Sequence, residues 1–288
     1  MKKTAYTCQV LTPMFLAGAN KNEPELRAAS IKGVMRYFYR AIQCESSGSD
    51  LYKKEKRLLG GVSGDEGVQS GLRIQVGKAG FSAASKEMLP HRPSGGMPQR
   101  AIPEGTEFEV ILRSFGENEK NHTTYEALFE LTVLLGGFGR RSRRGMGSVM
   151  IMSKNGQACP LPESLLDNVF VLLNRLSRDI FTMDAGAGVI KRTRRLQIHY
   201  PYIEEIHETV KKSSALEFAH HYGQASHRIR RSAPNGFRLT GSINPRYASP
   251  VYCTVASPSQ GFIVKLHVKH AETPHEVHQR HFIDDAKS

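Results

Sequence analysis

Apolar positions recur with a period of two over residues 4–16, 71–77 and 107–115, and SVMIMS (148–153) is a short apolar run; turn-forming residues bound these segments, so four strands are predicted. After the first of them, Ile31, Val34, Met35, Phe38 and Ile42 fall at helical spacing, which predicts a helix over about residues 31–43 with Ser30 as its N-cap. A second helix is predicted to open on the capping box Thr123 and Glu126 and to run through YEALFELTVLL to Gly136. The order is strand, helix, strand, strand, helix, strand, the ferredoxin-like arrangement.

Beyond Pro160 and Pro162 the pattern continues with an amphipathic helix over 163–180. LQIHYPYI, FRLTGSINP, SPVYCTVAS and GFIVKLHVKH then read as strands, with a partly helical ETVKKSSALEFAHHYG after the first of them. The fold class is α+β: two tandem ferredoxin-like (RRM-like) domains, residues 1–155 and a degenerate copy over 156–288, divided in NGQACPLP. Residues 44–71, with their KKEKR run, and 78–103, with HRPSGGMP, read as loops. Connections of that length are often binding elements.

The stretch between the second helix and the fourth strand, LGGFGRRSRRGMGSV (135–149), carries the clearest chemistry. Glycines such as Gly137, Gly139 and Gly145 allow positive φ and bring bare N–H groups near a ligand, while Arg140, Arg141, Arg143 and Arg144 are planar, permanently charged forks suited to phosphate. A P-loop runs strand, loop, helix and ends in Gly-Lys-Ser/Thr; here the order is inverted and lysine is absent. RRGMGSVMI echoes an RNA-recognition strand, but Met146, Ser148 and Ile151 stand where stacking aromatics are needed. A flexible, solvated basic loop is the plain alternative. On the first helix, Lys32, Arg36 and Arg40 follow at four-residue steps, away from the apolar face. With the donors of the helix N-terminus that stripe could grip phosphates, or it could be a solvated face.

Charge moves the balance towards a polyanion. The net charge of +13 and pI near 9.7 are concentrated in arginine-rich patches, which favours nucleic acid over an anionic membrane. Cys8, Cys44, Cys159 and Cys253 form no CxxC pair, so neither a zinc ribbon nor a disulfide framework is indicated, and free thiols suit a reducing cytoplasm. No signal peptide or membrane-spanning run is read, and no cofactor is implied. Among twelve histidines, His267, His270, His275, His278 and His281 crowd the C-terminus, where Pro274 interrupts any continuous helix; a polar tail is expected there, with no metal. His91, in a glycine-containing loop, is the candidate for metal-free RNA cleavage in the competing enzymatic reading.

The segments TPMFLAGAN, ELRAASIKGVMRYFYRA, LLGG followed by SGLRIQV, and LGGFGRRSRRGMGSV together resemble the RAMP superfamily of CRISPR–Cas proteins, and within it subunit one of the type III-B Cmr effector complex. RYASPVYCTV is similar to a strand-leading Arg-x-x-Ser-Pro of the same subunit. The resemblance implies a non-catalytic RNA-binding subunit, cytoplasmic, holding the 3′ part of the crRNA and its paired target RNA beside other Cmr subunits in antiviral defence. It implies RNA contacts at Ile31, Lys32, Arg36, Arg140, Arg141, Arg143 and Arg144; Arg27, Ser30, Arg40 and Arg246 join them as neighbouring candidates. The rival within the superfamily is an endoribonuclease that processes precursor crRNA.

Overall fold

The computed structural model describes the chain except residues 64, 78–79, 90–91, 93–96, 195, 197–199, 234–235, 243, 245–247 and 269–275. The first half runs β1 (Lys2–Val10), α1 (Ala28–Ile42), α2 (Gly48–Leu59), β2 (Gly61–Ser63), β3 (Glu66–Val68), β4 (Leu72–Val76), β5 (Ala84–Glu87), β6 (Pro98–Ala101), β7 (Glu107–Ser114), α3 (His122–Leu135), β8 (Val149–Lys154) and β9 (Gln157–Ala158). The second half runs α4 (Leu165–Leu176), β10 (Phe181–Asp184), β11 (Val189–Arg192), β12 (Tyr202–Glu208), α5 (Ala215–Ser232), α6 (Phe237–Thr240), β13 (Val251–Val255), β14 (Gly261–His267) and α7 (Glu276–Lys287).

Alternation in β1 turns Thr4, Tyr6, Cys8 and Val10 inward, and its antiparallel partners β7 and β8 complete a sheet of order β4-β7-β1-β8-β9. The strands that alternate with helices, β1, β4, β7 and β8, thus lie in the spatial order of a ferredoxin-like fold. The second sheet is β10-β11-β12-β14-β13, again antiparallel. There β12, β13 and β14 correspond to β1, β4 and β7, but the place of β8 is filled by β11, which precedes β12 in the chain. That substitution is what makes the second half degenerate. One hydrophobic cluster crosses from Tyr6, Phe38 and Phe129 to Leu166, Ile203 and Phe262, so the halves share a core. Tyr252 Oη donates to the Leu135 carbonyl (3.2 Å) and Thr254 Oγ1 to that of Gly136 (2.7 Å), fixing β13 to the end of α3.

Several local expectations change. The first strand stops at Val10, and residues 11–16 leave the sheet. Helix α1 begins at Ala28 with Arg27 at the N-cap and no side-chain cap, so Ser30 lies in its first turn and does not cap it. The capping box also fails: α3 starts at His122, and Glu126 accepts from Thr4 Oγ1 (2.7 Å) and pairs with Lys154 (3.2 Å) across the sheet. Part of the expected 44–71 loop is α2, because Leu51, Glu55 and Leu59 recur at four-residue steps and dock on α1. FRLT is a short helix, α6, where a strand was expected, and β10 and β11 pair around the AGAG turn as a hairpin the pattern did not predict. The C-terminal segment is not a polar tail, since α7 buries Phe282, Ile283 and Ala286.

Candidate nucleic-acid interface

Residues 136–148 connect α3 to β8, and they are pinned rather than free. Phe138 N donates to the Gly147 carbonyl (2.8 Å), Arg140 N to Phe15 (2.9 Å), Gly147 N to Pro13 (3.0 Å), and Thr12 Oγ1 to Gly145 (2.6 Å). The segment that leaves β1 therefore serves as a backing strip for the glycine-rich loop. Phe138 and Met146 are buried within it. Two positions require glycine. A Cβ on Gly139 (φ +96°) would lie 2.5 Å from the Phe15 carbonyl oxygen, and one on Gly147 (φ +65°) 2.0 Å from that of Phe138. The solvated, flexible loop does not describe this geometry.

The four arginines divide into two pairs. Arg143 donates to the Ser249 carbonyl (2.9 Å) and to Tyr37 Oη (3.1 Å), with its guanidinium 5.3 Å from the Tyr37 ring centroid and 5.8 Å from that of Tyr252. Arg144 donates to Ser226 Oγ and the Thr240 carbonyl and lies 5.6 Å over the Tyr222 ring. Both tie the loop to the second half. Arg140 is exposed, its side chain touching Gln99 Oε1 at 3.1 Å. Arg141, at φ +61°, makes no side-chain hydrogen bond or ion pair among the described residues; burial, then Arg144 and Arg92, lower its pKa. A half-buried cation without a counter-charge is suited to accept an incoming anion.

The cationic stripe of α1 is arranged differently. Arg36 donates to Glu55 and to the carbonyls of Leu59 (2.8 Å) and Gly60, and Arg40 reaches both Glu55 oxygens at 3.0 Å. Glu55 is buried, so one carboxylate of α2 neutralises two arginines of α1. Lys32 donates to Ser70 Oγ (2.5 Å) and the Leu72 carbonyl (3.2 Å), and burial, then Arg36, lower its pKa. Ile31 is 1% exposed and lies in the core. Arg27 is exposed at the helix start.

An open cleft separates α1 from the loop, lined by Ser30, Gly33 and Tyr37 on the helix, by Gly137, Ser142 and Arg143 on the loop, and by Tyr252 of β13. Nothing lies within 4 Å of a Cβ placed on Gly33, so backbone is open to solvent there. Of the residues singled out in the sequence, the fold thus brings Ser30, Gly137 and Arg143 to one cleft. Gly145 is buried beneath the loop, 3.2 Å from the Ala219 side chain by its virtual Cβ. Arg246 and His91 lie outside the described residues. Glu55, Tyr37, Ser142 and Tyr252 escaped sequence reasoning. The one signal for Glu55 was a lone acid inside KKEKR; Tyr252 lies inside RYASPVYCTV, but only the docking of β13 joins it to the cleft.

Among the described residues no cluster of His, Cys, Asp or Glu could hold a metal, and no helix is long and apolar enough to cross a membrane. Cys8, Cys44, Cys159 and Cys253 are free thiols. His122 sits between Thr4 Oγ1 (2.9 Å) and Ser114 Oγ (2.8 Å), where burial lowers its pKa.

Residues 7–150, which span most of the first sheet and the pinned glycine-rich loop, fit the RAMP superfamily model, and the chain belongs to that superfamily. Within it, the chain is similar to the Cmr subunits Cmr1-2 and Cmr1-1 of Pyrococcus furiosus. It is 26% identical to the first, over 52% of this chain and 96% of that protein, and 31% identical to the second, over 46% of this chain and 43% of that protein. In fold it matches the apo crystal structure of Cmr1 from Pyrococcus furiosus, with a TM-score of 0.63, 19% identity, and 99% and 96% of the two chains covered. It also matches a chain of the type III-B Cmr-beta complex bound to cognate target RNA and AMPPnP, with a TM-score of 0.59, 11% identity and 98% of both chains covered.

Proposed function

We propose that this chain is an RNA-binding subunit of a type III-B Cmr ribonucleoprotein effector, holding the 3′ region of the crRNA and its paired target RNA beside other Cmr subunits, in the cytoplasm, for antiviral defence. The observation that carries the reading is the exposed Arg140 and the half-buried Arg141, left without a counter-charge among the described residues, on a loop whose backbone is fixed by Pro13, Phe15 and Phe138. A preorganised cationic edge of this kind holds phosphates without reading bases; sequence is then read by pairing between the two RNAs. The kinship with Cmr1 subunits supports the assignment. The subunit grips RNA and does not cleave it.

Titration of single-stranded RNA against the protein at graded salt tests the reading. Affinity is expected to fall with a log–log slope of about 0.7 per phosphate contact and to vary little with base sequence. An affinity indifferent to salt would count against it. Incubation with repeat RNA is expected to leave no 2′,3′-cyclic phosphate product; its appearance would establish the endoribonuclease instead.

A further inference from the structure

The face of the first sheet turned away from α1 and α3 carries a second cationic feature. In the antiparallel register Lys3 of β1 stands opposite Arg113 of β7, and Arg113 stands opposite Arg73 of β4. Directly opposed residues project to the same side, and Tyr6 and Thr4, which alternate with Lys3, contact α3, so the three cations form one row across the outer face. Like charges placed opposite one another destabilise a sheet, so the row opposes folding.

Several cations elsewhere in this half have acids beside them: Arg36 and Arg40 with Glu55, Lys86 with Glu104, Arg100 with Glu23, Lys154 with Glu130. Among the described residues the row has none. The one side-chain partner of Arg113 there is the neutral Gln75 (2.5 Å), and Lys3 and Arg73 make no side-chain hydrogen bond or ion pair among the described residues. From Arg73 and Arg113 a trough passes round the free edge of β4 to the start of α1, where Arg27 is exposed and likewise unpaired among the described residues, with Glu25 as the carboxylate in its lining. Phe115, 44% exposed, stands on its rim.

We infer that Lys3, Arg113, Arg73 and Arg27 form a second track for the backbone of single-stranded RNA, with Phe115 as a stacking surface for a base. Unneutralised cations in file beside an exposed aromatic ring are the combination that binds single strands with little sequence preference. This track rests on the RNA-binding reading above but is separate from the glycine-rich loop, and it extends the RNA from the cleft side of α1 round its N-terminus onto the open sheet.

The test compares the full-length wild type with K3Q/R73Q/R113Q and with R140Q/R141Q, each titrated with fluorescein-labelled oligouridylate at graded salt. The sheet variant is expected to lose about tenfold or more in affinity at low salt and about 2 units of the log–log slope, at about 0.7 for each phosphate no longer gripped. Its melting temperature should hold or rise as like charges are removed. If the sheet variant binds as the wild type does while R140Q/R141Q binds weakly, the track is refuted and the loop stands. Weakened binding by the sheet variant alone keeps the track and removes the loop; a wild type with no salt-dependent RNA binding removes both. Should the triple variant fold poorly, the single variant R73Q, at an exposed position, decides between the same outcomes at about one third of the slope change.

Discussion

Helix α1 and the tip of the glycine-rich loop look alike as strings of basic residues, yet they hold their charge in opposite ways. On α1 the guanidinium groups of Arg36 and Arg40 converge on Glu55, and Lys32 is bound to Ser70 and Leu72, so the stripe fastens α2 and the start of β4 to the helix. At the loop tip Arg140 and Arg141 meet no acid among the described residues. Formal charge counts cations; only the unneutralised ones attract a polyanion strongly at close range. The same split runs inside the loop, where Arg143 and Arg144 are bound to the second half while Arg140 is exposed and Arg141 has no ion-pair partner among the described residues.

Changes that remove a structural partner should therefore affect stability, and those at the tip should affect binding. Phe38→Ala, which empties the site of a buried ring packed near Gly136, is expected to destabilise by about 3–5 kcal/mol in denaturant titration. Arg144→Ala leaves the buried Thr240 carbonyl unpaired and takes a cation from Tyr222, for a loss of about 2–4 kcal/mol. If it melts as the wild type does, the inward assignment is wrong.

Glu55→Gln sharpens the contrast further. Arg36 and Arg40 are 26% and 41% exposed, so water screens part of the loss and about 1–2 kcal/mol is expected, together with tighter RNA binding as two guanidinium groups lose their counter-charge. Unchanged or weaker binding would mean that the α1 stripe does not border the RNA. Arg140→Gln and Arg141→Gln should each shift stability by less than about 0.5 kcal/mol while lowering the salt slope by about 0.7.

The smallest effect concerns Lys32. Its folded pKa lies below the usual 10.5 because burial, then Arg36, disfavours the ammonium. Between the folded and unfolded values the unfolded chain holds more protons, so this group adds stability as pH rises towards 10.5 and takes it away below the depressed value. The difference in unfolding free energy between wild type and Lys32→Met should follow that rise; a flat difference would show that Lys32 titrates as a free lysine.

Most of the first sheet was legible because β1, β4 and β7 alternate over several residues, β8 opens as a short apolar run, and α1 repeats Ile31, Met35, Phe38 and Ile42 on one face. Helix α2 was not, since GSDLYKKEKRLL offers few apolar positions and its burial depends on docking to α1. β10 and β11, of four residues each, are too short for a period to emerge, and in FRLT two buried positions suit either state. The loop's glycines and arginines were visible as chemistry. Which arginines face outward was not, because the partners of Arg143 and Arg144 lie far along the chain: Ser249 is 106 residues from Arg143, and Ser226 and Thr240 are 82 and 96 from Arg144.

The strand borrowed from upstream in the second sheet fixes how many such loops one molecule carries. In the first half the glycine-rich segment exists because the chain must travel from α3 back into the sheet beside β1. Beside β12 the corresponding slot is already taken by β11, so among the described residues the second half has no crossover like the one from α3 to β8. The molecule is a duplicated scaffold whose two sheets are near copies in layout, while among the described residues only the first carries the glycine-rich crossover.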